Sequence, residues 1–294
     1  MLSFRCTVIG AGAVGLAVAR ALASRYQGGN DVLVVEQGRS FGTGISSRNS
    51  EVVHSGLYYT TGSLKHRLCV EGRRLLYDYC AARCVPFDKC GKLVVAADAA
   101  EEPELDVLFE KGRRNGIENV TRLTGAQAAA LEPDVRASAA LFLAETGIFD
   151  THAYMKALES DIAAANGTVS YDSEVVVIDR AGGGYRLRLR SGEEFESSTV
   201  VNAGGLGAPA IARMLGLAPE TMYPCKGSYF AYSGTHRVTH LVYPIPEKGL
   251  TGLGVHATID LAGRLRFGPD VEYVPATDDF TVDGRKLAAF QAAA

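Results

Sequence analysis

The chain has no block of basic residues, and its net charge is −3, so it carries no electrostatic footprint for nucleic acid. It has no run of about 18 apolar residues, so no transmembrane helix is expected. No internal repeat and no low-complexity linker breaks it up. Its six cysteines, Cys6, Cys69, Cys80, Cys84, Cys90 and Cys225, form no CxxC pair and no Cys/His spacing for zinc. They read as reduced thiols, and no metal is expected. The first strand begins by residue 4 or 6, which leaves no space for a signal or transit peptide and gives a cytoplasmic expectation. What is there is ordinary for a globular chain. Of 294 residues, 47% are hydrophobic and 21% charged, enough for a large core and about two domains.

The most informative stretch is Val8-Ile9-Gly10-Ala11-Gly12-Ala13-Val14-Gly15. A short apolar strand, Cys6–Ile9, leads into it, and an Ala-rich helix follows to about Ser24. The apolar run Val32–Val35 then ends in Glu36. Gly10 allows a tight turn, Gly12 lets backbone approach a pyrophosphate, and Gly15 lets the helix pack on the strand. The helix N-terminus offers N–H groups and positive dipole to phosphates, and Glu36 can accept from ribose hydroxyls. A generic glycine-rich turn would leave Glu36 unexplained.

Arg39–Ser63 is polar and Gly/Ser-rich and reads as a loop crossing a ligand site. Ser63–Cys80 shows helical spacing through Leu64, Leu68, Leu75, Leu76 and Tyr79. Lys92–Ala96 reads as a strand, Glu101–Asn115 as a surface helix, and Leu141–Leu143 as strand-like. Asp150 or Thr151 caps a helix running to about Ala165. Strands follow at Thr168–Tyr171 with Val175–Ile178, at Tyr185–Arg190 and at Thr199–Ala203, the last running into Gly204 and Gly205. A helix is expected at about Ala208–Leu215. From Tyr223 short strands dominate: Ser228–Tyr232, Leu241–Pro244, Leu253–Thr258 and Leu265–Gly268. They predict an antiparallel second layer over a cofactor, joined by residues 86–140. Lys286–Ala294 reads as a helix with Leu287 and Phe290 on one face and no element to receive them.

The block Ser46-Ser47-Arg48-Asn49-Ser50-Glu51-Val52-Val53-His54-Ser55-Gly56-Leu57-Tyr58-Tyr59, with Gly62-Ser63-Leu64-Lys65 and Leu68-Cys69-Val70, resembles the L-2-hydroxyglutarate dehydrogenase/oxidase family. That family belongs to the D-amino-acid-oxidase-like flavoenzymes. Further similar stretches are Thr146–Asp150, Lys226–Tyr229, Leu241–Pro246, Gly252–His256 and Phe267–Asp270, so the resemblance covers nearly the whole chain. It implies FAD and an α/β fold of the glutathione-reductase type. A Rossmann-like FAD-binding domain (1–85 and 141–222) would accompany an antiparallel-sheet substrate domain (86–140 and 223–294). It implies hydride transfer from a 2-hydroxy acid to flavin N5, with a small 2-hydroxy acid and an electron acceptor of unassigned kind as partners. Gly10, Gly12, Gly15 and Glu36 match the ADP-binding part, and Ser46, Ser47, Arg48 and Asn49 the stretch along pyrophosphate and flavin. Val175 matches the position whose backbone meets the adenine, and Ala203 and Gly204 a second backbone approach. His54 and His256 sit in the blocks that face the flavin and substrate.

The resemblance also implies a further C-terminal segment with Gly-x-Arg-Pro and Pro-Gly-Leu-Thr stretches. The chain ends at Phe290-Gln291-Ala292-Ala293-Ala294, so it is expected to lack that segment and to be poorly active.

Oxidising an alcohol beside a carboxylate needs a base for the hydroxyl proton and cations for the carboxylates. His256 and His54 are the candidates for the first role, set against structural or loop-bonding histidines. Arg48 and Lys226 are candidates for the second, set against an Arg48–Glu51 pair and a solvated turn lysine. Tyr58, Tyr59 and Tyr243 are candidate hydroxyl donors or packing residues. His66, His152, His236 and His240 read as surface or capping residues. The alternatives are a truncated or inactive flavoprotein-like chain, or a related oxidase acting on an amino acid.

Overall fold

The computed structural model describes residues 1–26, 31–218, 220–246, 254–275 and 277–293. Met1–Asn49 contributes β1 (Leu2–Ile9), α1 (Ala13–Tyr26) and β2 (Val32–Val35). Ser50–Asp150 contributes β3 (Val52–Val53), α2 (Leu64–Ala82), β4 (Phe87–Asp88), β5 (Lys92–Ala96), α3 (Glu102–Arg114), β6 (Val120–Thr124), α4 (Gly125–Leu131), β7 (Ala139–Leu143) and β8 (Gly147–Phe149). Thr151–Met222 contributes α5 (Thr151–Ala164), β9 (Thr168–Ser170), β10 (Val175–Ala181), β11 (Gly184–Leu189), β12 (Glu194–Asn202) and α6 (Ala208–Met214). Tyr223–Ala294 contributes β13 (Cys225–Lys226), β14 (Phe230–Ala231), β15 (Leu241–Pro244), β16 (His256–Ile259), β17 (Leu265–Gly268), β18 (Glu272–Tyr273) and α7 (Leu287–Ala293). The first and third segments form one compact unit, the second and fourth another.

In the first unit, six strands line up as β10-β11-β12-β1-β2-β9. The four from β12 to β9 are parallel, and β10-β11-β12 is an antiparallel meander. The C-terminal half of β1 and all of β2 are buried, as expected of parallel strands covered on both faces. α1 buries Gly15, Leu16, Ala19 and Ala23, a narrow face of small residues that permits close approach. α1 packs on α5, where Arg20 Nε pairs with Asp161 at 2.8 Å.

In the second unit, seven strands run β14-β17-β16-β15-β5-β7-β6. All neighbours are antiparallel except β15 and β5. The strands from residues 86–140 thus join those after Tyr223 in one sheet. One core contains Leu57, Val94, Leu105, Leu141, Leu143, Ile148, Leu241 and Tyr243; a smaller one gathers Leu93, Ala128 and Ala140. β3-β8-β4 makes a separate small sheet, and β13 pairs β18.

The division between units falls at 49/50 and 150/151, where the sequence reading had 85/86 and 140/141. Pairing explains the shift. β7 sets Leu143 opposite both Lys92 and Val120, and β8 joins β3 to β4, so 50–85 and 141–150 belong with the second unit. β1 and β12 both start earlier than read, in polar segments recruited by pairing Leu2 with Phe195. The Ser228–Tyr232 strand shortens to β14, and Leu253 lies outside the described residues. α7 has a partner after all: Phe290 is 4% exposed, and its ring meets Phe230 edge-on at 4.8 Å between centroids. Among the described residues no helix is long and apolar enough to cross a membrane.

Candidate functional site

The first unit builds its site from backbone. Gly10 donates its N–H to Val35 O (2.8 Å) at a φ of +109°, a conformation only glycine adopts easily. A Cβ there would lie 2.5 Å from Ala203 O, and one at Gly15 would lie 2.0 Å from Gly10 O. Side chains at either position would force β1, α1 and the end of β12 apart. A Cβ on Gly12 would meet Ser46 Oγ at 2.9 Å.

Glu36 holds this turn in place. Its Oε2 accepts from Ala11 N and its Oε1 from Gly38 N, both at 2.8 Å. A carboxylate has about four acceptor sites, so these bonds leave capacity for ribose hydroxyls. Ser46 Oγ accepts from Ala13 N (3.0 Å) at the start of α1, and Gly42 N donates to Ala11 O (3.0 Å). Ser47 Oγ donates to Gly42 O, and Asn49 Nδ2 to Ser46 O (2.7 Å). Residues 42–49 are therefore laced against the glycine turn. Arg48 Nη1 donates to Thr43 O (2.6 Å) and Gly44 O (2.9 Å) and so braces the same loop.

Val175 arrives beside this cluster by a second bracket. Glu36 N donates to Ser170 O (2.9 Å), Ser173 N to Glu36 O (2.8 Å), and Asp172 N to Gly38 O (3.0 Å). These bonds run 170–173 along 36–38 and start β10 at Val175. Ala203 N donates to Ile9 O (2.9 Å), and Asn202 Oδ1 accepts from Gly204 N (3.3 Å), which fixes the second backbone approach against Gly10. The structure thus brings together Gly10, Gly12, Gly15, Glu36, Ser46, Ser47, Arg48, Asn49, Val175, Ala203 and Gly204 in one unit.

The second unit builds its site from side chains. The register that sets Val242 opposite Ala257 puts Tyr243 opposite His256, and the two rings stack at 3.5 Å with 15° between planes. β15 runs parallel to β5 with Leu241 opposite Lys92. Lys92 therefore points to the same face as Leu143, Leu241 and Tyr243, and it is 1% exposed. Its Nζ lies 4.6 Å from the Tyr243 ring centre and 4.9 Å from that of Tyr58.

The loop carrying His54 and Tyr58 is pinned from two helices. Cys69 Sγ on α2 donates to His54 O (3.3 Å). Lys111 Nζ on α3 donates to Tyr58 O (2.9 Å), and Asn115 Nδ2 to Gly56 O (3.0 Å) and Tyr59 O (3.1 Å). Lys65 Nζ sits 4.6 Å from the Tyr59 ring centre.

The charges of this cluster are unusual. Burial, then Lys92, His256 and Lys65, push the His54 imidazole down to about 3, so it is neutral near pH 7. Burial lowers the Lys92 ammonium to about 7. Burial raises Tyr58 and Tyr243, which stay un-ionised, and also raises the Cys69 thiol. The Tyr58 hydroxyl is buried without a hydrogen-bond partner among the described residues.

Lys226 is engaged elsewhere in the second unit, by Asp279 Oδ2 (3.1 Å) and Thr281 O (3.0 Å). His66 bridges Gly62 N and Asn115 O, and His240 pairs with buried Glu132. Lys92 is the residue that sequence reading passed over, as the opening of an apolar strand. The available signal was alternation, which puts Lys92 on the face of Val94 and Ala96.

A parallel sheet whose first turn presents three glycines to a helix N-terminus, with an acid ending the second strand, defines the dinucleotide-binding α/β class. The chain belongs to the FAD dependent oxidoreductase (DAO) family, which matches residues 5–294. It is 41% identical to a mitochondrial L-2-hydroxyglutarate dehydrogenase of Arabidopsis thaliana, over 92% of this chain and 63% of that protein. It is 32% identical to L-2-hydroxyglutarate dehydrogenase of Escherichia coli K12, over 90% of this chain and 63% of that protein. The human mitochondrial protein of the same name is 33% identical, over 91% of this chain and 61% of that protein. The chain thus spans less than two thirds of the length of these relatives. Among solved structures, an FAD-bound L-alpha-glycerophosphate oxidase from Mycoplasma pneumoniae superimposes with a TM-score of 0.86 at 22% identity, over 99% of this chain and 78% of that one. Glycine oxidase from Geobacillus kaustophilus gives 0.84 at 22%, over 99% of this chain and 77% of that one. At that identity these two speak for the fold alone.

Proposed function

We propose that the chain is an FAD-dependent oxidoreductase that converts L-2-hydroxyglutarate, or a closely similar 2-hydroxy acid, to the 2-oxo acid. The observation that carries this reading is the 41% identity to the Arabidopsis protein across 92% of the chain. The geometry of both units supports it.

The first unit fits the ADP half of FAD. The cradle at Gly10 and Gly12 has no room for a Cβ, the N-terminal end of α1 offers positive dipole to a pyrophosphate, and Glu36 retains acceptor sites for ribose hydroxyls. Ser46, Ser47, Arg48 and Asn49 hold the loop that lies on this cradle, and Val175, Ala203 and Gly204 add backbone at its margins. Bound FAD supplies the acceptor for a hydride from the substrate carbon.

The second unit supplies the proton chemistry. His256 is the candidate base for the substrate hydroxyl, its ring held in orientation by the Tyr243 stack. His54, kept neutral and with its pKa far below neutrality, serves better as a hydrogen-bond partner than as a base. Tyr58, Tyr59 and Tyr243 keep their protons and can donate to substrate oxygens. Arg48 and Lys226, the cations read from sequence, are tied to loop carbonyls and to Asp279, so they position loops first.

The test is reconstitution with FAD, followed by anaerobic addition of L-2-hydroxyglutarate. Bleaching of the flavin band is expected. A flavin that stays oxidised with this acid but bleaches with an amino acid would overturn the substrate assignment.

A further inference from the structure

We infer that Lys92, boxed between the rings of Tyr58 and Tyr243, is the anion-binding residue of the second unit and receives a carboxylate of the substrate. The inference rests on the hydroxy-acid reading above and adds to it the residue that selects for negative charge.

Lys92 is 1% exposed, on the same face of β5 as the positions of Leu143, Leu241 and Tyr243. Its Nζ faces two ring surfaces, which attract a cation but do not neutralise it. Among the described residues no carboxylate pairs with it. The titratable and charged groups of the cluster are Lys65, Cys69 and Arg73 on α2, His54, Tyr58 and Tyr59 on the loop, Cys90 before β5, Tyr229 before β14, Tyr243 on β15 and His256 on β16. None is an acid that ionises at neutral pH.

A buried amine with no counter-ion is expensive to keep charged. The hydroxyl of Tyr58, whose ring centre lies 4.9 Å from Lys92 Nζ, is a second buried donor without an acceptor among the described residues. One carboxylate answers both. Its two oxygens can take a charge-assisted bond from the ammonium and one from the hydroxyl. Burial holds the amine at about 7, so near pH 8 it is mostly unprotonated until an anion arrives. Anion binding raises that value, and the site takes up a proton from solution.

The experiment titrates 2-oxoglutarate calorimetrically into the FAD-treated protein, in two buffers of different ionisation enthalpy. The unaltered chain should bind with proton uptake at pH 8 and with little at pH 6, where the amine is already charged. Lys92→Met keeps the side-chain shape; it should lose roughly 100-fold in affinity and all of the uptake, while melting no lower than the parent. Lys92→Gln serves as a second variant if the first does not fold. Binding within about threefold of the parent in a folded variant would overturn the inference, as would uptake that survives the substitution or a parent that binds no 2-oxoglutarate. Flavin absorbance on the same samples separates the two readings. A flavin-free protein that still takes 2-oxoglutarate through Lys92 sinks the flavoenzyme assignment and spares this one.

Discussion

The two units carry their candidate sites in opposite ways. In the first, the working atoms are backbone: the N–H groups of the Gly10–Gly12 turn, the start of α1, and the Ala203–Gly204 corner. In the second, they are side chains of residues 54, 58, 92, 243 and 256. A backbone site demands small residues at fixed local intervals, because any Cβ closes it. A side-chain site makes no such local demand; it needs a sheet order, β16-β15-β5, and a loop pinned by α2 and α3 to bring distant positions side by side. On the reading proposed above, the first arrangement would offer fixed dipoles to a phosphate group and the second protons to a reaction.

The sharpest way to break that contrast is His256→Ala. If the second unit supplies the base, flavin reduction by L-2-hydroxyglutarate should slow by roughly 10²–10⁴-fold while FAD stays bound. Stopped-flow reduction under anaerobic conditions reads the rate, and absorbance reads the flavin. Unchanged kinetics would make His256 a packing partner of Tyr243 and leave the second unit without an assigned base.

Next in size is a pair of identical substitutions with opposite signs. Gly15→Ala places a Cβ 2.0 Å from Gly10 O, backbone against backbone, so neither side can yield cheaply. A loss of about 3 kcal/mol is expected, at the upper end of overpacking costs. Gly72 lies in α2 with nothing within 4 Å of its would-be Cβ. There Gly72→Ala should gain about 0.5–1 kcal/mol, the ordinary benefit of replacing a helical glycine. Denaturant melts of both variants check this. Equal effects would mean that Gly15 is not a contact glycine.

The same contrast explains what could be read in advance. Gly10, Gly12, Gly15 and Glu36 were legible because strand, turn, helix and acid follow one another within one βαβ stretch, and each residue type has a steric or hydrogen-bonding reason to be where it is. The strands Lys92–Ala96, Leu241–Pro244 and Leu265–Gly268 were legible from apolar content. The unit boundaries were not, because nothing local in Leu141–Leu143 says that β7 pairs with β5 and β6. Lys92 was hidden for the same reason. A lysine at the start of a strand ordinarily reaches water, and only the parallel pairing with β15 shows that it cannot. Phe290 found its partner, Phe230, across a stretch that no periodicity connects.

Glu36→Ala probes how far the first site depends on one side chain. The carboxylate braces Ala11 and Gly38 and has acceptor capacity to spare for a ribose. FAD affinity should fall by about 1–3 kcal/mol, the cost of leaving such donors short of an acceptor. Glu36→Gln keeps one acceptor oxygen and should fall between parent and alanine. Fluorescence titration of FAD into the apoprotein measures all three, and an alanine variant with parental affinity would reduce Glu36 to a turn brace.

The smallest effect expected is at Lys226, and it decides which lysine holds the substrate carboxylate. Lys226 and Lys92 are both lysines of the second unit; the sequence nominates the first as holder of a carboxylate, and the structure brings in the second. Lys226 Nζ already has an acid, Asp279, and a carbonyl, Thr281, within hydrogen-bond distance. Asp279 is largely exposed, and its carboxyl is held down to about 2 by bonds from Thr281 and Lys226. A pair open to solvent on one side contributes little to stability. Lys226→Met should therefore shift stability little and leave the KM for L-2-hydroxyglutarate within about twofold, whereas Lys92→Met should raise it strongly. If the two results came out reversed, the ion pair with Asp279 would be a resting arrangement that the substrate displaces. The cationic role would then pass from the buried lysine of β5 to the half-buried one of β13.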